Sequence, residues 1–109
     1  MTIKEKVYMY LTTIPHGKVV TYGQIAMYLG NKNLARAVGN ILHNNPNKDL
    51  YPCYKVVDRK GKLSKHFAFG GIEKQKEKLE KDGIEVIDYT ADLDKYQFKD
   101  DCLLSVKSY

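Results

Sequence analysis

The sequence predicts a mainly α-helical domain with one small β hairpin, arranged as a winged helix-turn-helix. Two observations carry this expectation. Apolar residues recur at helical spacing in two short segments joined by a tight turn, and a basic turn lies between two short runs suited to strands. The chain has 109 residues, enough for one domain with a modest core. We expect that domain at residues 1–87, followed by an acidic extension at residues 88–109, packed on the body or partly disordered.

The first part of the chain supplies two helices. Apolar residues at helical spacing predict a helix over residues 3–13, which a proline and glycine turn then ends. Thr21 and Gln24 have the pattern of a capping box, with the threonine as N-cap and the glutamine at the third helical position. A short second helix should follow and end before Gly30, because glycine suits the left-handed conformation after a helix.

The second helix of the motif presents one cation among small residues. Asn33 is a good N-cap, and the apolar spacing after it predicts a helix over about residues 33–44. Arg36 falls opposite the apolar face, with alanines on both sides and Gly39 close by. Small residues let a helix surface approach another backbone closely, either that of a bound partner or that of a neighbouring helix.

The remainder is predicted to contain a hairpin, a charged helix and an edge strand. Residues 55–57 and 62–63 flank a glycine-containing turn, a pattern typical of a hairpin that serves as a wing. Residues 72–81 predict a highly charged helix with few apolar positions, so we expect most of it to be exposed. Residues 84–87 alternate like an edge strand.

Charge is divided unevenly along the chain. Residues 1–81 carry 15 Lys and Arg against 6 Asp and Glu, a net charge of +9, whereas residues 82–109 carry 3 against 7, a net charge of −4. The basic part favours a polyanion, DNA or RNA rather than a membrane surface, with Arg59 in the basic turn as one contact. The alternative is a bland protein made basic by a lysine-rich genome.

Other classes of protein are disfavoured by what the sequence lacks. No apolar run approaches the length of a membrane span, and a signal-peptide core is missing, so we expect a cytoplasmic protein. Cys53 and Cys102 should then stay reduced. The histidines are scattered and no paired-cysteine motif is present, so we expect neither a metal site nor a cofactor.

One cysteine stands directly after a proline, in a series of further motifs. A lone cysteine is more often a small buried hydrophobe than a nucleophile. Here, however, the motifs in order are Ile14-Pro15-His16-Gly17, Thr21-Tyr22-Gly23-Gln24-Ile25-Ala26, Ala35-Arg36-Ala37-Val38-Gly39, Asn45-Pro46, Pro52-Cys53-Tyr54-Lys55-Val56, Gly70-Gly71 and Asp82-Gly83. Over about residues 3–87, this series resembles the DNA-binding domain of the O6-alkylguanine-DNA alkyltransferases, also called methylated-DNA–protein-cysteine methyltransferases.

The resemblance implies a single-turnover repair reaction on double-stranded DNA that carries O6-alkylguanine. The helix-turn-helix would lie in the minor groove, the guanine would be flipped into a pocket, and Cys53 would take the alkyl group from O6. Arg36 matches the residue that replaces the flipped base in the stack. Tyr22 matches the tyrosine that pushes the 3′ phosphate and lines the pocket.

The resemblance also implies further site residues. Val56 would read the base through its carbonyl group, and Asn45 would brace the cysteine loop. Gly39 matches the small residue that lets the recognition helix lie against DNA. The other residues that we expect to contact DNA are Thr21, Gly23, Asn40 and Arg59.

The main departure from the family lies next to the cysteine, where Tyr54 stands in place of histidine. In the family a carboxylate–histidine–water relay draws the proton from the thiol, and Asp82 aligns with that carboxylate. Tyrosine is a poor base at neutral pH, so we expect Tyr54 to position water or to donate to the leaving guanine. Lys55 and Lys65 are the cations expected to lower the thiol pKa. The loop before Gly70-Gly71 is also about two residues longer than expected.

Two other functions stay open. Alkyltransferase-like proteins share this scaffold, bind O6-alkylguanine without repairing it and flag it for another pathway, such as nucleotide-excision repair. They carry tryptophan or alanine at the position of Cys53, so the cysteine favours transfer, whereas Tyr54 and the lack of an N-terminal domain favour lesion binding. A winged-helix regulator that reads the major groove would need several polar residues on its recognition helix, where this chain offers mainly Arg36. We expect a monomer.

Overall fold

The computed structural model describes residues 1–65 and 67–99. The α helices among them are α1 (Ile3–Leu11), α2 (Tyr22–Tyr28), α3 (Ala35–His43), α4 (Gly71–Lys81) and α5 (Leu93–Tyr96). The strands are β1 (Val20–Thr21), β2 (Val56–Val57), β3 (Val86–Ile87) and β4 (Thr90–Ala91). Single turns of 3₁₀ helix occupy Lys32–Leu34 and Cys53–Lys55. The prediction of a mainly helical fold with little β structure is confirmed.

Helix α1 is two residues shorter than predicted. Thr2 caps its start in a capping box with Glu5. At the other end, the hydroxyls of Thr12 and Thr13 donate to the carbonyl oxygens of Met9 (2.6 Å) and Tyr10 (2.7 Å). Such local side-chain bonds compete with continuation of the helix, which therefore ends at Leu11.

Helix α2 begins as predicted. The Thr21 hydroxyl accepts from the Gln24 amide nitrogen at 3.0 Å, and the Gln24 side-chain oxygen accepts from the Thr21 amide at 3.4 Å. The capping box is therefore complete. Gly30 follows the helix with a φ of 91°, the left-handed conformation that was expected there.

The start of α3 was predicted wrongly. Asn33 is not its N-cap: the side chain of Asn31 accepts from the Asn33 amide at 2.9 Å and starts the 3₁₀ turn instead. Helix α3 then begins at Ala35, without a side-chain cap. Its buried residues Val38 and Leu42 pack in the core, and α2 and α3 lie against each other as a helix-turn-helix.

The predicted wing hairpin was also wrong. Strand β2 pairs in parallel with β1, Val20 opposite Val56 and Thr21 opposite Val57, because both strands are buried in the core. The chain does reverse at residues 58–61, where the Asp58 side chain accepts from the amides of Lys60 and Lys62. Lys62 then bridges Thr90 rather than extending a ladder with β2. The hairpin of this fold is β3–β4.

The C-terminal part of the described chain packs on the body. Helix α4 starts one residue before its predicted position, and Gln75 and Leu79 are its buried residues. The predicted strand at residues 84–87 is shortened to β3. Beyond it, Leu93 and Tyr96 pack on the hydrophobic cluster that contains Leu79. The boundary at residue 87 stays a prediction, and residues 100–109 of the predicted extension, with Cys102, lie outside the described residues. In the described part of the chain, each helix is too short or too polar to cross a membrane.

Candidate active site

A cavity of about 320 Å³ opens between α2, α3 and the segment that carries the cysteine. That volume is in the range of small-molecule pockets. The lining includes five residues predicted for the site: Tyr22, Gly39, Asn40, Cys53 and Val56. It also includes six that were not predicted: Leu42, His43, Ser64, Phe67, Ala68 and Gln75.

Cys53 lies at the start of its 3₁₀ turn and is only 6% exposed. Burial raises the pKa of its thiol, because the surroundings disfavour the thiolate. A hydrogen bond from Asn45 and the positive charge of Lys78 act in the opposite direction and are smaller effects. The thiol is therefore placed at the cavity but is mostly protonated at neutral pH.

Asn45 holds the loop that leads to the cysteine. It is buried, and its side-chain nitrogen donates to the Tyr51 carbonyl oxygen at 2.7 Å. Its side-chain oxygen accepts from the amide of Asn47 at 2.9 Å. The Tyr51 carbonyl also accepts from the Cys53 amide at 2.7 Å, so Asn45, which has its own hydrogen bond with the thiol, holds the cysteine segment at two points. This placement suits the bracing role that was predicted for it.

Tyr54 points away from the cavity towards Asp82. Its hydroxyl donates to an Asp82 carboxylate oxygen at 2.7 Å. The Asp82 carboxylate also lies 3.4 Å from Nδ1 of His16 and 4.0 Å from Nζ of Lys55. Burial, followed by the bond to Asp82, raises the pKa of Tyr54 far above its usual value. At neutral pH the Tyr54 hydroxyl therefore keeps its proton and cannot take that of the thiol, and its hydrogen bond is already donated to Asp82.

The cations near the thiol differ from those predicted. Lys55 is 7% exposed and donates to the carbonyl oxygens of Ile14 (3.1 Å) and Pro15 (3.3 Å). Burial lowers its pKa. The cation that lowers the pKa of Cys53 is Lys78 on α4, not Lys55 or Lys65. Spacing along the chain could not reveal this, since α4 reaches the site only through the fold.

Tyr22 forms another wall of the cavity at the first residue of α2. Burial raises the pKa of its hydroxyl, which also has a hydrogen bond with Ser64 and lies close enough to Cys53 to interact electrostatically. Thr21 is buried as the N-cap, and Gly23 is exposed one residue further on. Neither lines the cavity.

The surface of α3 is open at the positions where the sequence resemblance predicts contact with DNA. A Cβ at Gly39 would meet nothing within 4 Å, so this glycine does not serve close packing against a neighbouring helix. Arg36 is exposed one turn earlier, and Asn40 is exposed beside the cavity. Arg59 is exposed in the basic turn and does not line the cavity.

Gln75 is the most constrained residue that the sequence prediction missed. It is 1% exposed, and its side-chain oxygen accepts from the Ser64 amide at 2.8 Å. Its side-chain nitrogen donates to the carbonyl oxygens of Tyr54 and Val56, both at 3.0 Å. The Val56 carbonyl oxygen, predicted to accept a hydrogen bond from the guanine, already accepts one from Gln75, so the guanine would have to use its second lone pair. The sequence contained one indication that Gln75 is buried: it lies four residues before Leu79, and this spacing places both side chains on the same face of the helix.

The family profile described as "6-O-methylguanine DNA methyltransferase, DNA binding domain" matches residues 2–84. The chain belongs to this family. The match covers the cavity, the cysteine segment, the helix-turn-helix and Asp82.

Relatives with and without methyltransferase in their names share this domain. The alkyltransferase-like protein 1 of Schizosaccharomyces pombe is 35% identical over 99 residues, which cover 86% of this chain and 92% of that protein. The methylated-DNA–protein-cysteine methyltransferase of Shigella flexneri is 36% identical over 80 residues, covering 73% of this chain but 46% of the enzyme. The chain thus spans less than half the length of that methyltransferase.

A solved structure of the S. pombe protein also matches this chain over most of its length. The crystal structure of the S. pombe protein in complex with damaged DNA containing O6-carboxymethylguanine superposes with a TM-score of 0.82 at 34% identity. The superposition covers 90% of this chain and 95% of that one.

In the described part of the present chain, no group of three His, Cys, Asp or Glu side chains is arranged to hold a metal ion.

Proposed function

We propose that this chain binds double-stranded DNA at O6-alkylguanine, holds the flipped base in the cavity and transfers the alkyl group once to Cys53. The observation that carries the proposal is the position of Cys53, which lines the same cavity as Tyr22 and Gly39. A protein that only packed a cysteine in its core would not need that opening beside a bare helix surface.

The DNA-facing surface supports the proposal. Arg36 is exposed on α3, and the helix around it carries small side chains, so the helix can approach a groove closely. The excess of positive charge over residues 1–81 suits phosphate contacts. Aromatic and polar residues line the cavity in the manner of sites that hold a flipped base.

The chemistry follows from the state of the thiol. In the transfer, a bond forms between Sγ of Cys53 and the alkyl carbon while the bond from that carbon to O6 breaks. The proton lost by the thiol ends on the guanine, which leaves as a neutral base. No histidine directly follows the cysteine, and Tyr54 is held by Asp82, so we expect the thiolate to form by ionisation in advance of attack. We therefore propose a slow transfer, with Lys78 and Asn45 favouring the thiolate.

The experiment is a mass measurement on the protein after incubation with a duplex that contains one O6-methylguanine. We expect one added methylene on the peptide that contains Cys53, at most once per molecule. A Cys53→Ser variant should bind the same duplex and gain no mass. Undamaged duplex, incubated equally long, is the control for nonspecific alkylation.

A second function is lesion binding without repair. It is favoured by the raised pKa of Cys53, by the loss of Tyr54 as a possible base, and by the near full-length match to an alkyltransferase-like protein. In that case another pathway, such as nucleotide-excision repair, would remove the lesion. Tight binding of the damaged duplex, with Cys53 unmodified after long incubation, would establish this second function instead.

A further inference from the structure

The end of the described chain runs along the strands that hold the cavity. We call residues 96–98 the C-terminal strap. The Val19 amide donates to the Tyr96 carbonyl oxygen at 2.9 Å, and the Phe98 amide donates to the Val19 carbonyl oxygen at 2.8 Å. The strap thereby extends the β1–β2 pair on the β1 side. Strand β1 leads directly into Tyr22, and β2 directly follows the turn of Cys53.

The strap also reaches the first turn of α2. Gln24 is 4% exposed, and its side-chain nitrogen donates to the Phe98 carbonyl oxygen at 2.6 Å. Its side-chain oxygen accepts from Nε2 of Gln97 at 3.1 Å. The same side chain belongs to the capping box with Thr21. The buried side-chain amide of Gln24 therefore connects the strap both to Thr21, just before Tyr22, and to the first turn of α2, just after it.

Side-chain packing connects the strap to the same place. The Phe98 ring packs on the hydrophobic cluster that includes Cys53 and Val56, and Tyr22 packs on that cluster too. Tyr96 packs on the second cluster, and its hydroxyl accepts from the Glu85 amide at 3.1 Å. The strap thus spans both clusters, whereas the family profile ends at residue 84.

We infer that the strap is a positioning element that holds Tyr22 and Cys53 at the spacing needed for base recognition. This inference rests on the proposed function. A strap that only stabilised the fold would leave the cavity unchanged in molecules that remain folded. A positioning strap would change the cavity in folded molecules once the bond to Gln24 is lost.

Gln24→Glu separates these two roles. The substitution retains a side-chain oxygen that caps Thr21 and accepts from Gln97, but it replaces the donor to the Phe98 carbonyl with a second acceptor. The matched control is Glu5→Gln, the equivalent position in the capping box of α1, which is exposed and far along the chain from the strap. Gln97→Leu is a second variant, which removes the bond to Gln24 together with an exposed bond from Lys99 and leaves the bond from Gln24 to Phe98 in place.

The first measurement is the ratio of Kd for undamaged duplex to Kd for O6-methylguanine duplex, taken well below the melting temperature of each variant. We expect Gln24→Glu to lower this ratio about tenfold, because Tyr22 acts at the flipped nucleotide, through its base and its 3′ phosphate, whereas the other phosphate contacts act on both duplexes. Gln97→Leu should lower it less, and Glu5→Gln should leave it unchanged.

The second measurement needs no DNA: the rate at which iodoacetamide alkylates Cys53, read on its own peptide by mass spectrometry. We expect a several-fold increase in Gln24→Glu and no change in Glu5→Gln. If wild-type protein shows no lesion preference, the proposed function fails while this rate still tests the strap. If both strap variants melt at lower temperature but keep the wild-type alkylation rate, the strap is only structural and the inference is overturned.

Discussion

Cys53 and Tyr54 are neighbours in the chain, yet they belong to two different regions of the molecule. Cys53 lines the cavity and packs in the first hydrophobic cluster. Tyr54 packs against the second cluster and bonds to Asp82, with Lys55 and His16 on the same carboxylate. One region therefore holds the cysteine, and the other holds Tyr54, the tyrosine at the position where the family has histidine.

The difference between the two regions separates placement from activation. The cavity contains Tyr22 and Gly39, which we propose recognise the lesion, together with the cysteine. The Asp82 region has become a hydrogen-bonded cluster, in which Tyr54 donates to a carboxylate and Lys55 donates to two carbonyl oxygens. Under the proposed function, this arrangement would bind the lesion well and react with it slowly.

Restoring a base in the Asp82 region should have the largest effect. General bases contribute typically 10²–10⁴-fold to a rate, so we expect Tyr54→His to raise the rate of alkyl transfer about 100-fold. We choose the lower end because imidazole is shorter than phenol and must reach Asp82 through water. Single-turnover transfer measured by mass spectrometry tests this expectation.

Tyr54→Phe is the matched control for that substitution. It removes the hydrogen bond to Asp82 without supplying a base, so transfer should stay within about threefold of wild type. Losing a hydrogen bond to a charged acceptor should lower the free energy of unfolding by about 1–2 kcal/mol, measured by urea denaturation. A large loss of transfer in Tyr54→Phe would show that the tyrosine takes part in the chemistry.

Arg36→Ala tests the cavity region from the DNA side. An arginine that fills the gap left by a flipped base offsets an unstacking cost of a few kcal/mol, so we expect about 30-fold weaker preference for O6-methylguanine duplex over undamaged duplex. Lys32→Ala removes an exposed cation near the start of the same helix, and it should weaken the binding of both duplexes equally. An unchanged preference in Arg36→Ala would contradict base replacement.

Gly39→Ala separates binding from folding with a smaller effect. The added methyl group meets nothing within 4 Å, and alanine is the better helix former, so stability should rise by about 0.5–1 kcal/mol. The same methyl group would stand between α3 and a bound groove, so Kd for duplex DNA should rise several-fold. Melting curves and a binding titration test both parts, and unchanged affinity would place DNA elsewhere.

The sequence predicted best what depends on local patterns. The capping box of Thr21 and Gln24 and the left-handed Gly30 involve residues a few positions apart, and both were confirmed. Asn33 failed because Asn31 offers an equivalent side chain two residues earlier, and either is a good cap on local grounds. Nearby sequence does not decide between two such candidates.

Long-range contacts account for most of what was missed. The wing failed because β2 finds a buried parallel partner in β1, far back in the chain, and local hairpin signals carry no information about that competitor. Gln75 binds the segment after the cysteine, and Lys78 acts on the thiol, only because α4 folds against that segment. Tyr22, Gly39 and Cys53, which the family motifs identified, do line one cavity. The order of the motifs does not reveal that the Tyr54 hydroxyl donates to Asp82.

The most direct test of the central claim is the pH dependence of single-turnover transfer to Cys53. Burial raises the thiol pKa, so below that pKa the thiolate fraction, and with it the rate, should rise about tenfold per pH unit from about pH 6.5 to about 8.5. Tyr54→His should flatten this profile, because above about pH 6.5 its imidazole is neutral and can take the thiol proton. A wild-type rate that is already level across that range would show that another group activates the thiol and would contradict the separation of placement from activation.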